Sequence, residues 1–303
     1  MKLVSVVNRG EVRIGALRAD NIIDLRMAYE KWLATASALE RQPENGIRVP
    51  CSMIELLGLG ETALRQLGFV AAQADSRCFL DQSAWRIIAP LPNPGKIIGV
   101  GRNYGAHSQE GGMARQEEPR LFVKLSSSVI GPGEHIVSPA SVHKLDWEVE
   151  LAAVVGSVMR NMSVSECMQR VAGYTLLNDI SAREFQFDVT PPQTTFAKSM
   201  DTFTPLGPCI VTCDEISDPG NLDLKCWVND ELVQDGSTSD MIFPVGYILS
   251  YISRFITLDP GDVIATGTPA GVGHFMKPPR YLQSGDRVRL FCPAIGELHN
   301  TVE

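Results

Sequence analysis

The stretch HKLDWEVELAAVVG, residues 143–156, decides the fold because an acidic run leads there into a continuous apolar strand. Asp146, Glu148 and Glu150 stand at every second position of this stretch. Since successive side chains of a strand point to opposite faces, Glu148 and Glu150 share one face. Such a pair is common on a solvated sheet face, so the alternative is that both glutamates simply face solvent. The run LAAVV that follows has no polar side chain on either face, however, and this predicts a strand that enters the core.

Two carboxylates beside the core repel each other and lose hydration, so they need a cation or a shared proton. Asp179 ends the next apolar run, YTLLND, after a helix predicted over residues 163–172 by a capping box. Strand, helix and strand can bring Asp179 beside the pair, although a turn or cap residue is the alternative. Three carboxylates without a nearby histidine or cysteine pair favour a hard divalent cation, Mg²⁺ or Mn²⁺, over zinc.

A second cluster lies in RNYGAHSQEGG, residues 102–112, where His107 and Glu110 are three residues apart. On one helical turn these side chains can meet. A carboxylate beside an imidazole fixes the tautomer of the ring, which suits a general base acting on water. A surface His–Glu pair is the alternative. Gly105, Gly111 and Gly112 predict a pliable segment, such as a closing lid.

Two further segments carry candidate ligand contacts. Lys198, in FAKSMDTFTPLGP, could hold a substrate carboxylate or stabilise an enolate, and a surface lysine is the alternative. The run GDVIATGTPAGVG ends in a glycine-rich loop around Thr268, where a small ligand could approach the backbone closely. This loop lacks the Gly-Lys-Ser/Thr ending of a phosphate loop, and GVGRNYG has the wrong glycine spacing for a dinucleotide site. Nucleotide binding is therefore not expected.

The composition excludes several classes of function. The 303 residues carry 27 basic and 35 acidic side chains, a net charge of −8. Binding to nucleic acid or to an acidic membrane is not expected, because both need clustered lysine and arginine. No apolar segment approaches the roughly 18 residues that cross a bilayer, and the first residues lack a signal-peptide pattern. With seven cysteines and no CxxC motif, free thiols and a cytoplasmic location are predicted.

The prolines of APLPNPGK, residues 89–96, predict a stiff connector and a domain boundary. Two short strands and two helical patterns, over residues 26–41 and 52–73, predict a small N-terminal α+β domain of residues 1–90. Residues 96–303 contain many short strands and few helices, with a hairpin turn expected in KCWVNDELVQ. This pattern predicts a β-rich α+β fold, with the catalytic metal-binding domain after the boundary, and not a doubly wound sheet.

Taken in order, these segments resemble the fumarylacetoacetate hydrolase family. The matching runs are GVGRNYGAHSQE, FVKLSSSVIGP, DWEVELAAVVG, VAGYTLLNDISAREFQ, AKSMDTFTPLGP, DPGDVIATGTPAGVG and SGDRVRL. They extend from Lys96 to the C-terminus. One departure is Leu125, where many relatives have proline after the lysine of an F-x-K motif, and it leaves the role of Lys124 open.

The resemblance implies a fold, an assembly and a set of site residues. The fold would be a β-rich pseudo-barrel of mixed sheets with a small N-terminal α+β domain, and the assembly would be a homodimer. Mg²⁺ or Mn²⁺ would be held at Glu148, Glu150 and Asp179, and a His–Glu dyad would lie at His107 and Glu110. Substrate contacts are implied or predicted at Tyr104, Arg183, Gln186, Lys198 and Thr268.

The implied activity is the hydrolysis of a 2,4-diketo acid, an acylpyruvate, to pyruvate and a carboxylic acid. In this hypothesis His107 and Glu110 deprotonate a water that attacks the distal carbonyl, and Lys198 stabilises the departing pyruvate enolate. The metal would be a Lewis acid. Fumarylpyruvate, maleylpyruvate and a 2,4-diketo-3-deoxy sugar acid all stay open as substrates, in the catabolism of aromatic acids or of sugars. Alternatives are an oxaloacetate decarboxylase, a hydroxy-diene-dioate isomerase and a non-catalytic keto-acid binding protein.

Overall fold

The computed structural model of the protein describes residues 1–36, 47–110 and 116–303. The strands are β1 (Lys2–Asn8), β2 (Glu11–Arg18), β3 (Asn21–Asp24), β4 (Arg86–Ile88), β5 (Ile97–Gly101), β6 (Arg120–Lys124), β7 (Val129–Ile130), β8 (His135–Ile136), β9 (Leu145–Asp146), β10 (Val149–Val155), β11 (Val171–Asn178), β12 (Ser181–Ala182), β13 (Thr204–Thr212), β14 (Asp223–Val228), β15 (Glu231–Ser237), β16 (Val263–Ala265), β17 (Arg287–Cys292) and β18 (Gly296–Val302). The α-helices are α1 (Leu25–Thr35), α2 (Met53–Gly58), α3 (Gly60–Gln73), α4 (Gly105–Glu110), α5 (Val164–Met168), α6 (Thr194–Lys198) and α7 (Val245–Ser253). A π-helical turn spans Glu184–Asp188.

The largest sheet has eleven strands and contains the acidic strand in its interior. Its order is β3-β2-β1-β13-β11-β10-β16-β5-β6, with β4 paired to β1 and β7 paired to β13. All residues of β10 are buried, as expected for a strand whose side chains, apart from Glu150, are apolar on both faces. The strand that the sequence predicts to enter the core therefore lies at its centre.

Two smaller sheets complete the strand-rich core. The five-stranded sheet has the order β15-β14-β17-β18-β8, and β12 pairs with β9 in a two-stranded sheet. The hairpin of β14 and β15 turns at the predicted position, where Asn229 has a φ of 57°. Asparagine tolerates this left-handed conformation better than most residues because its short side chain can bond locally.

The prediction of a β-rich α+β fold is confirmed. The implied pseudo-barrel takes the form of open sheets, because the described part of the large sheet ends at β3 on one side and at β6 on the other. The helical pattern of residues 52–73 forms two helices, since Gly60 adopts a φ of 83° at the break, a conformation that glycine adopts freely. Of the three glycines of the predicted lid, Gly105 begins α4, and those at 111 and 112 lie outside the described residues, as does the end of the other predicted helix, residues 37–41.

The N-terminal strands belong to the same large sheet as the strands around the acidic stretch. Lys2 pairs with Val211 and Leu3 with Ile210, which joins β1 to β13. The sheet is therefore continuous across the proline-rich connector. The division into domains of residues 1–90 and 96–303 stays a prediction.

Three predictions concern the chain as a whole. All seven cysteines are free, as the absence of a paired spacing predicts. Within residues 1–36, 47–110 and 116–303, no helix has the length and apolar character needed to span a bilayer. The homodimer stays a prediction.

Candidate active site

Three carboxylates meet where β10 and β11 lie side by side. Val149 of β10 pairs with Asn178 of β11, and the backbone N–H of Asp179 donates to the carbonyl of Glu148 over 2.9 Å. This pairing brings Asp179, which follows β11, beside Glu148 and Glu150. One carboxylate oxygen of each residue lies within 4.8 Å of the others, and all three residues are buried. We call these three residues the acid cluster.

A glycine lets the loop after β16 close over Glu150. The N–H of Gly267 donates to Glu150 Oε2 over 2.7 Å. Gly267 has a φ of 97°, and a Cβ at this position would lie 2.8 Å from the Cβ of Asn103. Glycine alone fits both the conformation and the gap. The close backbone approach predicted for this glycine-rich loop is therefore directed at a carboxylate of the protein.

Two buried lysines lie against the acid cluster. Lys198 Nζ is 3.1 Å from Glu148 Oε2 and 2.5 Å from Asp179 Oδ2, and it donates to Ser181 Oγ over 2.7 Å. Lys124 Nζ donates to Asp179 Oδ1 over 2.7 Å and to two backbone carbonyls. The ammonium of Lys198 thus bridges two predicted metal ligands. Lys124, whose role the sequence leaves open, holds the other oxygen of the Asp179 carboxylate.

Arg183 connects the acid cluster to another buried carboxylate. Its Nη2 lies 2.7 Å from Glu148 Oε1, and its Nε donates to Asp146 Oδ2 over 2.8 Å. Its Nη1 donates to Gln186 Oε1 over 2.8 Å. Asp146 also accepts two backbone N–H groups from the segment beyond β16. Asp146 therefore fixes the guanidinium that contacts the cluster.

We expect Asp146→Asn to destabilise the protein, because Arg183 would keep its charge and lose one of its two buried carboxylate partners. Breaking a buried ion pair completely costs about 3–5 kcal/mol of unfolding free energy, and the loss here should be about 2–3 kcal/mol because Glu148 still pairs with Arg183. The matched control is Asp188→Asn, since Asp188 forms an exposed ion pair with Lys144, and such pairs contribute about 1 kcal/mol or less. Urea unfolding measures both variants. Equal stability of the two variants would contradict the role given to Asp146.

His107 and Glu110 lie on the single turn of α4, as their spacing predicts. His107 Nδ1 is 3.7 Å from Glu110 Oε2, which is longer than a hydrogen bond. This nitrogen has no hydrogen-bond partner within the described part of the chain. The Glu110 carboxylate accepts the N–H of Gly271 over 3.2 Å. The predicted pair is therefore side by side without a direct hydrogen bond.

A cavity of about 790 Å³ opens onto the acid cluster. This volume is in the range of small-molecule sites. The predicted residues that line it are His107, Glu148, Glu150, Arg183, Gln186, Lys198 and Thr268.

The other three predicted site residues are not on the cavity wall. Asp179 and Tyr104 are fully buried behind it. Burial and the neighbouring charge of Glu150 raise the pKa of Tyr104, so its phenol stays neutral. Glu110 faces Gly271 beside the wall. Direct contact of Tyr104 with substrate stays a prediction.

The electrostatics of the acid cluster favour an additional cation. Burial alone would raise the pKa of Glu148, but the charges of Lys198 and Arg183 hold it below its usual range. Burial and the charges of Asp179 and Glu148 raise the pKa of Glu150 well above its usual range. Among the residues placed by the structure, no basic side chain forms an ion pair with Glu150. The ionised form of Glu150 is therefore the least compensated of the three carboxylates.

The donor set fits a divalent metal ion. Hard cations such as Mg²⁺ and Mn²⁺ bind carboxylate oxygens, and the acid cluster offers three within 4.8 Å of one another. A dication would also stabilise the ionised form of Glu150. The choice between the two metals stays a prediction.

Two residues of the site, Asp146 and Lys124, are not among the predicted site residues. Asp146 stands two residues before Glu148, so strand alternation is a signal that it faces the same way. Lys124 has no comparable local signal, because its partner Asp179 is 55 residues away.

Comparison with known proteins gives consistent family matches. The family model described as fumarylacetoacetate (FAA) hydrolase C-terminal matches residues 96–303. Oxaloacetate tautomerase fahd2, mitochondrial, of Xenopus laevis is 42% identical over 292 residues, which cover 96% of this chain and 86% of the relative. Oxaloacetate tautomerase FAHD2A, mitochondrial, of Homo sapiens is 40% identical over 254 residues, which cover 84% of this chain and 80% of the relative. The cytoplasmic location predicted for this chain stays a prediction beside these mitochondrial relatives.

Solved structures share the whole fold. Fumarylacetoacetate hydrolase from Exiguobacterium antarcticum has a TM-score of 0.82 and 35% identity, covering 100% of this chain and 99% of that one. Maleylpyruvate hydrolase from Sphingobium sp. SYK-6, in complex with manganese(II) ion and pyruvate, has a TM-score of 0.77 and 30% identity, covering 100% and 98%. A similar chain therefore holds a divalent ion and a 2-oxo acid.

Proposed function

This chain belongs to the fumarylacetoacetate hydrolase family, and we propose that it is a divalent-metal-dependent enzyme that interconverts the keto and enol forms of a 2-oxo acid such as oxaloacetate. The observation that carries this proposal is the acid cluster with the Lys198 ammonium in it, on the wall of the cavity. The names of the two tautomerase relatives support the choice of reaction.

Enolisation places negative charge on the carbonyl oxygen when a proton leaves the neighbouring carbon. A divalent ion held by Glu148, Glu150 and Asp179 would supply Lewis-acid stabilisation of that oxygen. Lys198 adds a positive charge that is already fixed by two carboxylates and Ser181. A fixed cation of this kind needs no reorganisation as charge develops, which makes it effective in the transition state.

His107 is the group that we assign to the proton transfer. An imidazole can both accept and donate a proton, and His107 is the one histidine among the described residues that line the cavity. Arg183 and Gln186 line the same cavity and are hydrogen-bonded to each other. We assign the binding of the substrate carboxylate to this pair, with Thr268 on the opposite loop closing the site.

Hydrolysis of an acylpyruvate is the second candidate, favoured by the placement of His107 beside Glu110. His107 Nδ1 and Glu110 Oε2 are 3.7 Å apart, so a water-activating pair would form its hydrogen bond only on substrate binding. The acid cluster and its lysines, in contrast, are already assembled. The geometry therefore favours enolisation over hydrolysis.

The experiment compares the two reactions on the same protein. We expect the protein with Mg²⁺ or Mn²⁺ to accelerate the decay of enol-oxaloacetate absorbance, EDTA to abolish the acceleration, and excess metal to restore it. Release of pyruvate from acetylpyruvate and fumarylpyruvate, followed with lactate dehydrogenase, measures hydrolysis. Rapid pyruvate release without any effect on oxaloacetate would replace the first candidate by the second.

Two variants separate the candidates further. We expect His107→Ala to lower kcat for tautomerisation roughly 10²–10⁴-fold, the usual contribution of a positioned acid–base group, with unchanged Mn²⁺ binding. Glu110→Gln should leave tautomerisation within a few-fold of the parent, because enolisation needs no activated water. If Glu110→Gln is as inactive as His107→Ala, the two residues act as a unit and hydrolysis gains support.

A further inference from the structure

A buried glutamine joins the strand of the acid cluster to the cavity wall. Gln234 lies on β15 of the five-stranded sheet and is almost fully buried. Its Oε1 accepts the backbone N–H of Val149 over 3.0 Å, between the two glutamates of the acid cluster. Its Nε2 donates to Thr268 Oγ1 over 2.8 Å and to the carbonyl of Pro269 over 2.9 Å. The side chain therefore connects β10 to the loop after β16.

The orientation of this amide is set by its backbone partners. A backbone N–H can only donate and a backbone carbonyl oxygen can only accept. The oxygen of the Gln234 amide must therefore face Val149, and the nitrogen must face Pro269. One hydrogen of the NH₂ group is directed to Pro269, which leaves the other for Thr268 Oγ1. The Thr268 oxygen is consequently the acceptor in this contact.

Because Thr268 accepts from Gln234, the hydrogen of its hydroxyl is left for another partner. A threonine hydroxyl has one hydrogen and two lone pairs. Within the described part of the chain, Thr268 Oγ1 makes no hydrogen bond besides the one from Gln234. Thr268 lines the cavity together with Glu148, Glu150 and Lys198. Its hydroxyl is therefore set to donate to an oxygen atom of a molecule bound there.

The loop after β16 is packed closely against β15 on both sides of Gln234. A Cβ on Gly236 would lie 2.4 Å from the Cβ of Pro269. A Cβ on Gly271 would lie 2.0 Å from the carbonyl oxygen of Val233. Since neither gap admits a side chain, the loop has little room to shift along β15. The amide of Gln234 therefore acts on the loop from a fixed position.

We propose that Gln234 is a positioning residue, which holds the Thr268 hydroxyl as a hydrogen-bond donor toward an oxygen of the bound 2-oxo acid. This inference rests on the proposed function, because that function places a 2-oxo acid in the cavity. Gln234 itself does not line the cavity, so its effect on the ligand passes through Thr268. Without the amide, the hydroxyl can turn to the carbonyl of Pro269, and the ligand loses a donor.

The test is a double-mutant cycle on the binding of pyruvate to the Mn²⁺-loaded protein. Bound Mn²⁺ broadens the methyl proton signal of pyruvate, and a titration of this broadening gives Kd. We expect Thr268→Val to weaken pyruvate roughly 10-fold, the usual effect of one hydrogen bond to a charged group. Gln234→Met keeps the side-chain length and should weaken pyruvate by a similar factor. In the Thr268→Val background it should have less than about a two-fold effect, because coupled residues are not additive.

Gln234→Glu is the second variant, because it keeps an acceptor for Val149 and reverses the other end of the side chain. Its second carboxylate oxygen accepts the hydroxyl hydrogen of Thr268, so pyruvate should again be weakened roughly 10-fold, and only when the hydroxyl is present. The affinity for Mn²⁺, measured by calorimetry, should stay within about two-fold of the parent in every variant. The matched control is Gln283→Met, since Gln283 is exposed and its amide donates to two backbone carbonyls. It should change neither affinity.

Three results would overturn this role of Gln234. They are an unchanged Kd in Thr268→Val, equal weakening by Gln234→Met with and without the Thr268 hydroxyl, and a loss of pyruvate binding that follows a loss of Mn²⁺ affinity. Turnover is measured separately. A protein that tautomerises oxaloacetate and shows additive effects keeps its function and loses the positioning role. A protein that gives the expected cycle and does not tautomerise oxaloacetate keeps the positioning role and loses the proposed reaction.

Discussion

Glu150→Gln should abolish divalent-metal binding and make the metal-free protein more stable. Burial and the charges of Asp179 and Glu148 raise the pKa of Glu150 well above its usual range, so its ionised form opposes folding at neutral pH. A group whose folded pKa is raised in this way lowers stability above its unfolded pKa. Glutamine is neutral and can still accept the N–H of Gly267. We expect a gain of roughly 1–3 kcal/mol in unfolding free energy.

The same substitution removes one of three metal ligands. We expect the affinity for Mn²⁺ to fall by at least about 100-fold, since even groups that only support ligands contribute 10–100-fold, and turnover to be lost with it. Calorimetry with Mn²⁺ and urea unfolding in EDTA give the two readouts. The control is Glu231→Gln, an exposed residue paired with Arg280, which should change neither. Retained Mn²⁺ affinity in Glu150→Gln would remove the acid cluster from consideration as the metal site.

Lys198→Met should have the second large effect, in the opposite direction on stability. The ammonium of Lys198 contacts Glu148 and Asp179, and the three side chains are almost fully buried. Removing it leaves two buried carboxylates without their shared cation, at a cost of about 3–5 kcal/mol. Because the fixed positive charge is also lost from the cavity, kcat should fall roughly 10²–10³-fold.

The effect of Mg²⁺ on the Tm distinguishes a specific loss of the Lys198 charge from a general loss of folding. A dication can replace the missing positive charge, so added Mg²⁺ should raise the Tm of Lys198→Met more than that of the parent. A ligand at 100 times its Kd adds about 2.7 kcal/mol of stability, which differential scanning calorimetry resolves. Lys225→Met, which removes an exposed pair with Asp235, is the control. A metal-induced shift equal to or below that of the parent would mean that Lys198 does not share the metal site.

The sequence predicts the acid cluster because each step of that prediction is local. Strand alternation places Glu148 and Glu150 on one face, and the strand–helix–strand pattern returns the chain to Asp179. The capping box at Ser163 and Glu166 is present at the start of the intervening helix, although that helix ends at Met168, before the predicted stop. The convergence of the three carboxylates therefore follows from strand periodicity and the strand–helix–strand pattern.

The cations of the site depend on distant contacts and are harder to predict. Lys198 is a sequence-based candidate for substrate contact. No local pattern indicates, however, that Lys124 reaches Asp179 across 55 residues or that Lys198 reaches Glu148 across 50. Local periodicity also cannot predict that β1 pairs with β13, where Leu3 lies opposite Ile210. The predicted His107–Glu110 contact shows the converse: the spacing places both on one turn, but the N–H of Gly271 competes for the carboxylate.

The buried charges form an alternating row that runs from Asp146 through Arg183, Glu148, Lys198 and Asp179 to Lys124. Neighbours in such a row share their counter-charges, so the energetic effects of single substitutions overlap and do not sum. A scan that changes one position at a time would count the same interaction several times. Engineering of this site should therefore use double substitutions. Each would remove two neighbouring side chains of opposite charge, so that the net charge of the row does not change.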